Sequence, residues 1–413
     1  MNGFGINNTR YSGRIAAAAL LLALAALPAN AAPAGYSVYW SEEWNEGAGA
    51  TPNKSVWNYD MGGGGWGNGE WQTYVDSAAN CHVVADSAAD GGQALQIRAE
   101  KDAAGNYYSA RINTGGKATF TYGYVEGRLK LPYSQGMWPA FWMLGNNIGV
   151  PNVGWPACGE LDIMENLGNN PTVNYSSFHA TGWDATAAYT NPGGKWFSDT
   201  YHTFAMSWTP NNISFYVDGN LFETHTSNES ANWPFNSPQF FILNLAVGGG
   251  WPGAPNASTV APMNYLVDYI RVYHLTGVPS GRIVSLFSQT NNKFVCADNT
   301  GTSNLVANRT TAAGWEQFKV IDLGNSNVAL QSQANQNYVS AASAGAGALI
   351  ASATAIGTSE TFHWEPHPDG SVSLKAVINS QYVCADQNKS NPPNLWANRA
   401  TAGAWENFSV TVY

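Results

Sequence analysis

Residues 159–166 read Gly159-Glu160-Leu161-Asp162-Ile163-Met164-Glu165-Asn166, placing three carboxylates within six residues. Only 11% of the chain is charged, so this crowding stands out. Neighbouring carboxylates raise one another's pKa and repel, which costs stability. Between the acids lie Leu161, Ile163 and Met164, the apolar content of a strand packed on a core. On a regular strand, residues 160, 162 and 164 share one face and residue 165 points to the other. A single β-bulge after Asp162 brings Glu165 onto the face of Glu160 and Asp162. The expected result is a row of acids on one sheet face. Glycoside hydrolysis needs such a row, with one carboxyl as acid and another as nucleophile or base. Surface strands and calcium sites also gather carboxylates, so the spacing alone leaves those readings open. The flanks shift the balance: Trp138, Trp142 and Trp155 precede the triplet, and His179 and Trp183 follow it. Indole faces are large, rigid surfaces on which the apolar C–H groups of sugar rings stack.

The rest of the chain sets bounds on this reading. Residues 1–31 have the form of a secretory signal: Arg10 and Arg14, an apolar run from Ile15 to Leu27, then Ala29-Asn30-Ala31 as the cleavage site. The apolar run is short for a membrane span, so the mature protein is expected to be secreted, free of the membrane and monomeric. Removing the two arginines moves the formal charge from −10 to −12. Such an acidic, lightly charged chain argues against nucleic acid and polyanionic glycans, which need basic tracts. A neutral polysaccharide fits better. The 43 glycines, the Asn/Ser/Thr-rich turns and the scarcity of helical periodicity predict an all-β chain. Asp218-Gly219 after Ile213–Val217 predicts a type I′ hairpin. Cys81 and Cys158 lie in the first region, Cys296 and Cys384 in the second. Pairing within each region and four buried thiols both remain open at this level.

The last third repeats itself. Phe294-Val-Cys-Ala-Asp298 returns as Tyr338-Val-Ser-Ala-Ala342 and as Tyr382-Val-Cys-Ala-Asp386, each 44 residues on. Three such units predict threefold closure into a β-trefoil over residues 281–413, after a linker at Thr276–Gly281. Each unit ends alike: Gly314-Trp315-Glu316, Thr358-Ser359-Glu360, Ala404-Trp405-Glu406. A tryptophan beside a carboxylate offers a stacking face and an acceptor for sugar hydroxyls. Trp315, Glu316, Trp405 and Glu406 are therefore sugar-binding candidates; core packing of both tryptophans is the competing reading. A core position would tolerate Ser359 in the middle repeat poorly, because a cavity would result. Arg309 and Arg399 recur in the same two units and are left unassigned.

The stretch from Trp155 to Asn166 resembles the active-site signature of glycoside hydrolase family 16, in its bulged, laminarinase (endo-β-1,3-glucanase) branch. GWGNGEWQTY from Gly65, YGYVEGRLKLP from Tyr122, GMWPAFWMLG from Gly136, NLAVGGGWPG from Asn244 and VDYIRVY from Val267 resemble it in the same order. The resemblance spans residues 36–275 and implies a β-jelly-roll sandwich with an open cleft. It implies Glu160 as nucleophile, Glu165 as general acid/base and Asp162 as the residue tuning the nucleophile. Catalysis would need no cofactor. Trp138 and Trp155 are implied substrate contacts, preferred over Trp142, for which core packing competes; Asn68, Arg111 and Trp251 join them, as does His179, expected on the adjacent strand in reach of the acid/base, with a satisfied core histidine as the competing reading. Relatives carry a structural calcium, which points to Asp268 as a metal ligand. Ala110 and Tyr124 depart from the family pattern. The repeat region resembles fascin-like trefoils of carbohydrate-binding module family 92, which implies β-glucan binding. Within the family, mixed-linkage glucanase and agarase activities are the alternatives. A non-catalytic glucan-recognition protein is the alternative outside enzymes, disfavoured because both glutamates are present.

Overall fold

The computed structural model describes residues 32–341 and 343–413; the expected signal segment, residues 1–31, lies outside the described residues. Strand follows strand, with short 3₁₀ turns and one four-residue helix, Gly154–Ala157, among the described residues. No helix there is long and apolar enough to cross a membrane.

The first part is a jelly-roll sandwich of a ten-stranded and an eight-stranded sheet. The eight-stranded sheet carries the acid row. Its order runs Trp183–Thr190, Val173–Ala180, Glu160–Asn166, Met137–Gly145, Gln239–Val247, Arg111–Asn113, Asn58–Asp60, with Thr119–Phe120 beside Gln239–Val247. Met137, Phe141, Met143, Leu161, Ile163 and Met164 point inward to a core shared with Val125, Leu129, Phe204 and Val267 of the other sheet. Period-two alternation therefore sends the even-numbered residues of Met137–Gly145 outward, to the face on which the acids lie. The predicted hairpin is present: Val217 pairs with Asn220, and Asp218 and Gly219 have φ of 50° and 73°. Positive φ at both central positions is the type I′ signature.

The C-terminal part is a closed ring of six strands with three hairpins. The ring runs Ile283–Ser288, Gln317–Gly324, Asn327–Ser332, Phe362–Pro366, Ser371–Ala376, Asn407–Val412 and back to the first. Each repeat contributes two ring strands and one hairpin, and Val284, Val328 and Val372 occupy equivalent buried places in its core. Leu275, the last residue of a sandwich strand, enters that second core. Buried polar contacts join the two parts: Asn212 Nδ2 donates to Thr411 Oγ1 at 2.9 Å and Tyr216 OH to the Val412 carbonyl at 3.0 Å. Tyr124, one of the departures from the family pattern, packs here with Tyr36, Tyr216 and Tyr273. It lies on the sheet away from the acids. All four cysteines are free and buried, so the pairing option is closed. Burial pushes the Cys81 thiol up to about 12 and the Cys384 thiol up to about 11, leaving both protonated and unreactive at neutral pH.

Candidate active site

The bulge is where the residue pattern requires it. Phe141 pairs with Met164 and Trp142 with Asp162, so one step on the first strand spans two on the second. On the other side Asp162 faces Ser177 and Glu165 faces Tyr175, again leaving one residue over. Ile163 is the extra residue. Its carbonyl accepts a hydrogen bond from Ser176 Oγ at 2.7 Å, and Asn174 Nδ2 donates to Ser176 Oγ at 3.1 Å. A bulge frees backbone groups that a buried strand must satisfy; here a buried serine takes that place. Glu160, Asp162 and Glu165 consequently share the face of Leu144, Trp142 and Ala140, their strand partners.

This face floors an open cleft of about 690 Å³. The structure brings Asn68, Arg111, Trp138, Trp155, His179 and Trp251 to it together with all three acids. Each glutamate is held by an indole. Trp138 Nε1 donates to Glu165 Oε1 at 2.9 Å, and Trp155 Nε1 to Glu160 Oε2 at 2.8 Å. These two tryptophans, expected as sugar contacts, also orient the carboxylates. Trp155 is 59% exposed and Trp251 41%, so both keep a face for ligand. Trp251 meets Trp138 edge-on at 5.5 Å. Asn68 lies at the exposed rim, where its Nδ2 donates to Glu70 Oε1 at 3.0 Å.

Trp142, a cleft candidate for which core packing competed, does both: it lines the cleft, donating from Nε1 to Asn244 Oδ1 at 2.8 Å, and packs on a buried cluster with Leu144, Cys158 and Ile242. One expectation changes. Arg111 is less a free substrate contact than a brace. Its Nε donates to Asp60 Oδ2 at 2.9 Å, and its guanidinium sits 4.9 Å from the ring centres of both Trp66 and Trp142. Trp66 and Asn244 are cleft residues that the motif reading passed over, although both stand inside quoted motifs. Trp183 stacks on Phe178, with ring centres 3.9 Å apart, and takes no part in the cleft.

His179 closes the row. Nε2 lies 3.3 Å from Asp162 Oδ2 and 3.9 Å from Glu160 Oε1, while Nδ1 bonds Asp184 Oδ1 at 2.9 Å. The Asp162 hydrogen bond, and then the charges of Asp162 and Glu160, lift the imidazole up to about 10, so it is a cation at neutral pH. Burial raises all three acids. Glu165 goes well above its ordinary value, with Asp162 and Glu160 adding to the rise and the Trp138 N–H opposing it. Glu160 is pushed up to about 8 by burial and then by Asp162, against the pull of His179, Trp155 and Arg111. Glu165 is thus the acid that keeps its proton longest, and Glu160 the one facing positive groups. The three titrate as a group. Atoms of Glu160, Asp162 and His179 lie within 4.8 Å of one another and could also present ligands to a metal ion.

Asp268, expected as a calcium ligand, is buried in the other sheet, where Oδ2 pairs with Arg128. Its Oδ1 is buried and has no side-chain or backbone hydrogen-bond partner. That oxygen fits a hard cation; the rest of the carboxylate is already neutralised. In the repeat region Trp315 is exposed and Trp405 half-buried, whereas Glu316 and Glu406 are buried. Glu316 Oε2 accepts the Ala313 N–H at 2.9 Å, Glu406 Oε2 the Gly403 N–H at 2.8 Å, and Glu360 Oε2 the Gly357 N–H at 2.9 Å. The carboxylate therefore closes a turn in every repeat, including the one without tryptophan. Its first task is structural. Arg309 and Arg399 lie 3.7 Å from Glu316 and Glu406 and pair with Asp298 and Asp386. The middle repeat has Ala353 in place of that arginine.

Glu165 supplies a test of these electrostatics. Its folded value stands above the unfolded value of about 4.3. The stability its proton contributes is complete below that pH and is lost as pH rises toward the folded value. Glu165→Gln, which keeps the shape and cannot ionise, should match wild type in thermal melts near pH ~4 and melt above it by pH ~9. A melting-temperature gap that narrows with rising pH would refute buried ionisation at this residue.

Comparison with known proteins agrees with this geometry. Residues 73–271 match the family described as glycosyl hydrolases family 16, and residues 279–370 match a domain of unknown function, DUF7910. The chain is similar to a beta-glucanase of Rhodothermus marinus, 37% identical over 252 residues, covering 58% of this chain and 85% of the relative. It is 36% identical over 278 residues to glucan endo-1,3-beta-glucosidase A1 of Niallia circulans, covering 60% of this chain and 39% of that one. Among solved structures, the laminarinase catalytic domain of Thermotoga maritima aligns with a TM-score of 0.52 at 41% identity, covering 58% of this chain and 98% of that one. Endo-1,3-beta-glucanase of Streptomyces sioyaensis aligns at 0.53 and 31% identity, covering 60% and 99%. With the bulged acid row, its cleft and these shared residues in one region, the chain belongs to glycosyl hydrolases family 16.

Proposed function

We propose that this glycoside hydrolase is a secreted, retaining endo-β-1,3-glucanase whose C-terminal region is a β-trefoil that holds β-glucan. The observation that carries the catalytic reading is the bulged row of acids, with each glutamate held by its own indole N–H. Glu160, facing His179 and Arg111, is the glutamate of the pair that gives up its proton first, and in that ionised form it attacks the anomeric carbon. Glu165, with the most strongly raised pKa, gives its proton to the departing glycosidic oxygen. The anomeric carbon is then bonded to Glu160. In the second half Glu165, now a carboxylate, takes a proton from water, whose oxygen attacks that carbon and releases Glu160. Two inversions retain configuration. Asp162, between the glutamates and bonded to His179, keeps that cation beside the nucleophile.

The β-1,3 linkage rests on the activities for which the relatives are named, and the open cleft suits attack within a polymer. Glu160→Gln should lose at least about a thousandfold in turnover and retain glucan binding, since the nucleophile is replaced without altering the cleft's shape. Wild-type-like turnover in that variant would overturn the assignment. Product analysis on laminarin, curdlan, lichenan and agarose, using enzyme recovered from culture fluid, tests substrate and export together. Laminarin fragments of retained β configuration, from a chain beginning near Ala32, are expected. Cleavage of agarose but not laminarin, or retention of residues 1–31, would refute the corresponding part.

For the C-terminal region the support is the six-stranded ring with three hairpins, together with tryptophan faces accessible at Trp315 and Trp405. The arginine–aspartate–glutamate setting recurs in those two repeats. Replacing Trp315 or Trp405 singly by alanine should weaken pull-down on insoluble β-glucan while leaving hydrolysis of short soluble glucan unchanged. Unaltered retention in both variants would make these residues structural. Asp268 Oδ1 is the oxygen proposed to take a structural calcium. Chelation should then lower the melting temperature and added calcium restore it, whereas an unchanged melt would exclude the ion.

A further inference from the structure

The three repeat junctions of the C-terminal region are not equivalent. At each, an asparagine of one repeat braces a strand: Asn291, Asn335 and Asn379 donate from Nδ2 to the carbonyls of Ala307, Ala351 and Ala397, each at 2.8 Å. At two junctions the preceding repeat seals the seam with a glycine. A methyl group added at Gly301 would collide with the Asn335 amide, and one added at Gly345 with that of Asn379. Asn335 Oδ1 and Asn379 Oδ1 in turn accept the N–H groups of Asn337 and Gln381, each at 3.0 Å.

The third junction breaks this pattern. The loop from Asp386 to Leu395 is two residues longer than the loop from Asp298 to Leu305, and Lys389 stands where Gly301 and Gly345 stand. Lys389 turns away, with Nζ 3.9 Å from the Trp396 ring centre. The inter-hairpin bridge itself is kept at all three junctions, as Asn304 with Ile350, Ala348 with Trp396 and Asn394 with Val306, the last closed by the Ala307 N–H donating to the Pro393 carbonyl at 2.9 Å. Without the sealing glycine, an open cavity of about 490 Å³ lies beside this bridge between the first and third repeats. Its volume falls within the range of roughly 300–1,000 Å³ usual for small-ligand sites.

The chemistry of the lining selects the ligand. Asn291 Oδ1 and Asn308 Oδ1 are buried acceptors without a hydrogen-bond partner. Asn398, the counterpart of Asn308, is fully engaged: Cys384 Sγ donates to its Oδ1 at 3.2 Å and its Nδ2 donates to Asp386 Oδ2 at 3.0 Å. Buried acceptors demand donors from whatever enters. That disfavours sulfate or a carboxylate, which bring only acceptors, and phosphate, which brings full negative charge and mostly acceptors. Lys293, on the same wall, is the one cation among the lining residues and needs an acceptor. Gln387, Ser390 and Asn391 offer both. A group that donates and accepts at closely spaced points without carrying charge is a polyol. Pro392 and Pro393 supply apolar surface for its C–H face.

We propose that this junction is a saccharide-binding site, taking a neutral pyranose unit between Asn308 on one repeat and the lengthened loop on another. It is separate from the catalytic cleft and from the two tryptophan positions, and does not rest on the role proposed for them. The test uses the full chain and glucose, which the enzyme cannot hydrolyse, followed through the side-chain amide resonances of Asn308 and Gln387 and the indole resonances of Trp315 and Trp405. Glucose at millimolar concentration should shift the two amides along one saturable curve. That curve should persist when Trp315 and Trp405 are both replaced by alanine. Asn308→Leu and Lys293→Ala should each weaken the Gln387 response at least fivefold, while hydrolysis of short soluble glucan stays at the wild-type rate and so reports an intact fold. Amides that do not move up to saturation of the indoles would overturn the site, as would a Gln387 response that disappears with the two tryptophans or is unchanged in both single variants. Loss of indole shifts with retained amide shifts would instead count against the tryptophan positions alone.

Discussion

One extra residue in a β-strand organises the active site. Ile163 shifts the register so that Glu165 joins Glu160 and Asp162 on the outward face while Ile163 and Met164 both stay in the core. Without that shift Glu165 would point into the core, where a carboxyl would be buried without a partner. The shift leaves a backbone carbonyl unpaired in the ladder, and the buried Asn174–Ser176 pair satisfies it. Three crowded, desolvated acids then need compensation. Two indole N–H groups and the His179 cation provide it. The residues that lower the cost of the row are also those that divide its roles. Burial and like charge raise both glutamates, but Glu160 is also pulled down by His179, Trp155 and Arg111, whereas Glu165 meets both neighbouring acids with Trp138 and His179 opposing. Electrostatic asymmetry of this kind separates a nucleophile from an acid made of the same functional group.

The repeat region shows how a threefold plan sorts structural from functional residues. Glu316, Glu360 and Glu406 close the same turn in all three units. A carboxylate present even where tryptophan and arginine are missing serves the fold. The residues present in two units only, Trp315 with Arg309 and Trp405 with Arg399, carry no such obligation. The same logic isolates the third junction, where a longer loop and a lysine replace a sealing glycine. Symmetry supplies the control: each departure is read against two copies of the same geometry in the same chain.

Much of this was legible in the residues. The spacing 160-162-165 with apolar residues between predicts the bulge, because a buried strand must keep its hydrophobic side inward. The 44-residue period predicts the three units, and Asp218-Gly219 its hairpin. What stayed hidden has a common cause. Trp142 stayed undecided between cleft and core because strand alternation does not say which sheet face a cleft occupies, and Arg111 read as a ligand contact because its partner Asp60 is 51 residues away. Glu316 and Glu406 read as sugar acceptors since a turn-closing carboxylate and a ligand-facing one look identical in sequence. Ser176 carried no signal at all: serines on strands are common, and only the register places this one at the bulge.

Local constraints belonged to the sequence: which face of a strand is apolar, where a turn needs positive φ, which residues recur at a fixed interval. These depend on neighbours a few bonds away, so they survive without coordinates. The tertiary structure decided which side chains from distant segments converge, and therefore which acid holds its proton. Glu160 and Glu165 are chemically the same residue in one strand. Burial and the positions of His179, Arg111, Trp138 and Trp155, drawn from four other segments, make them different.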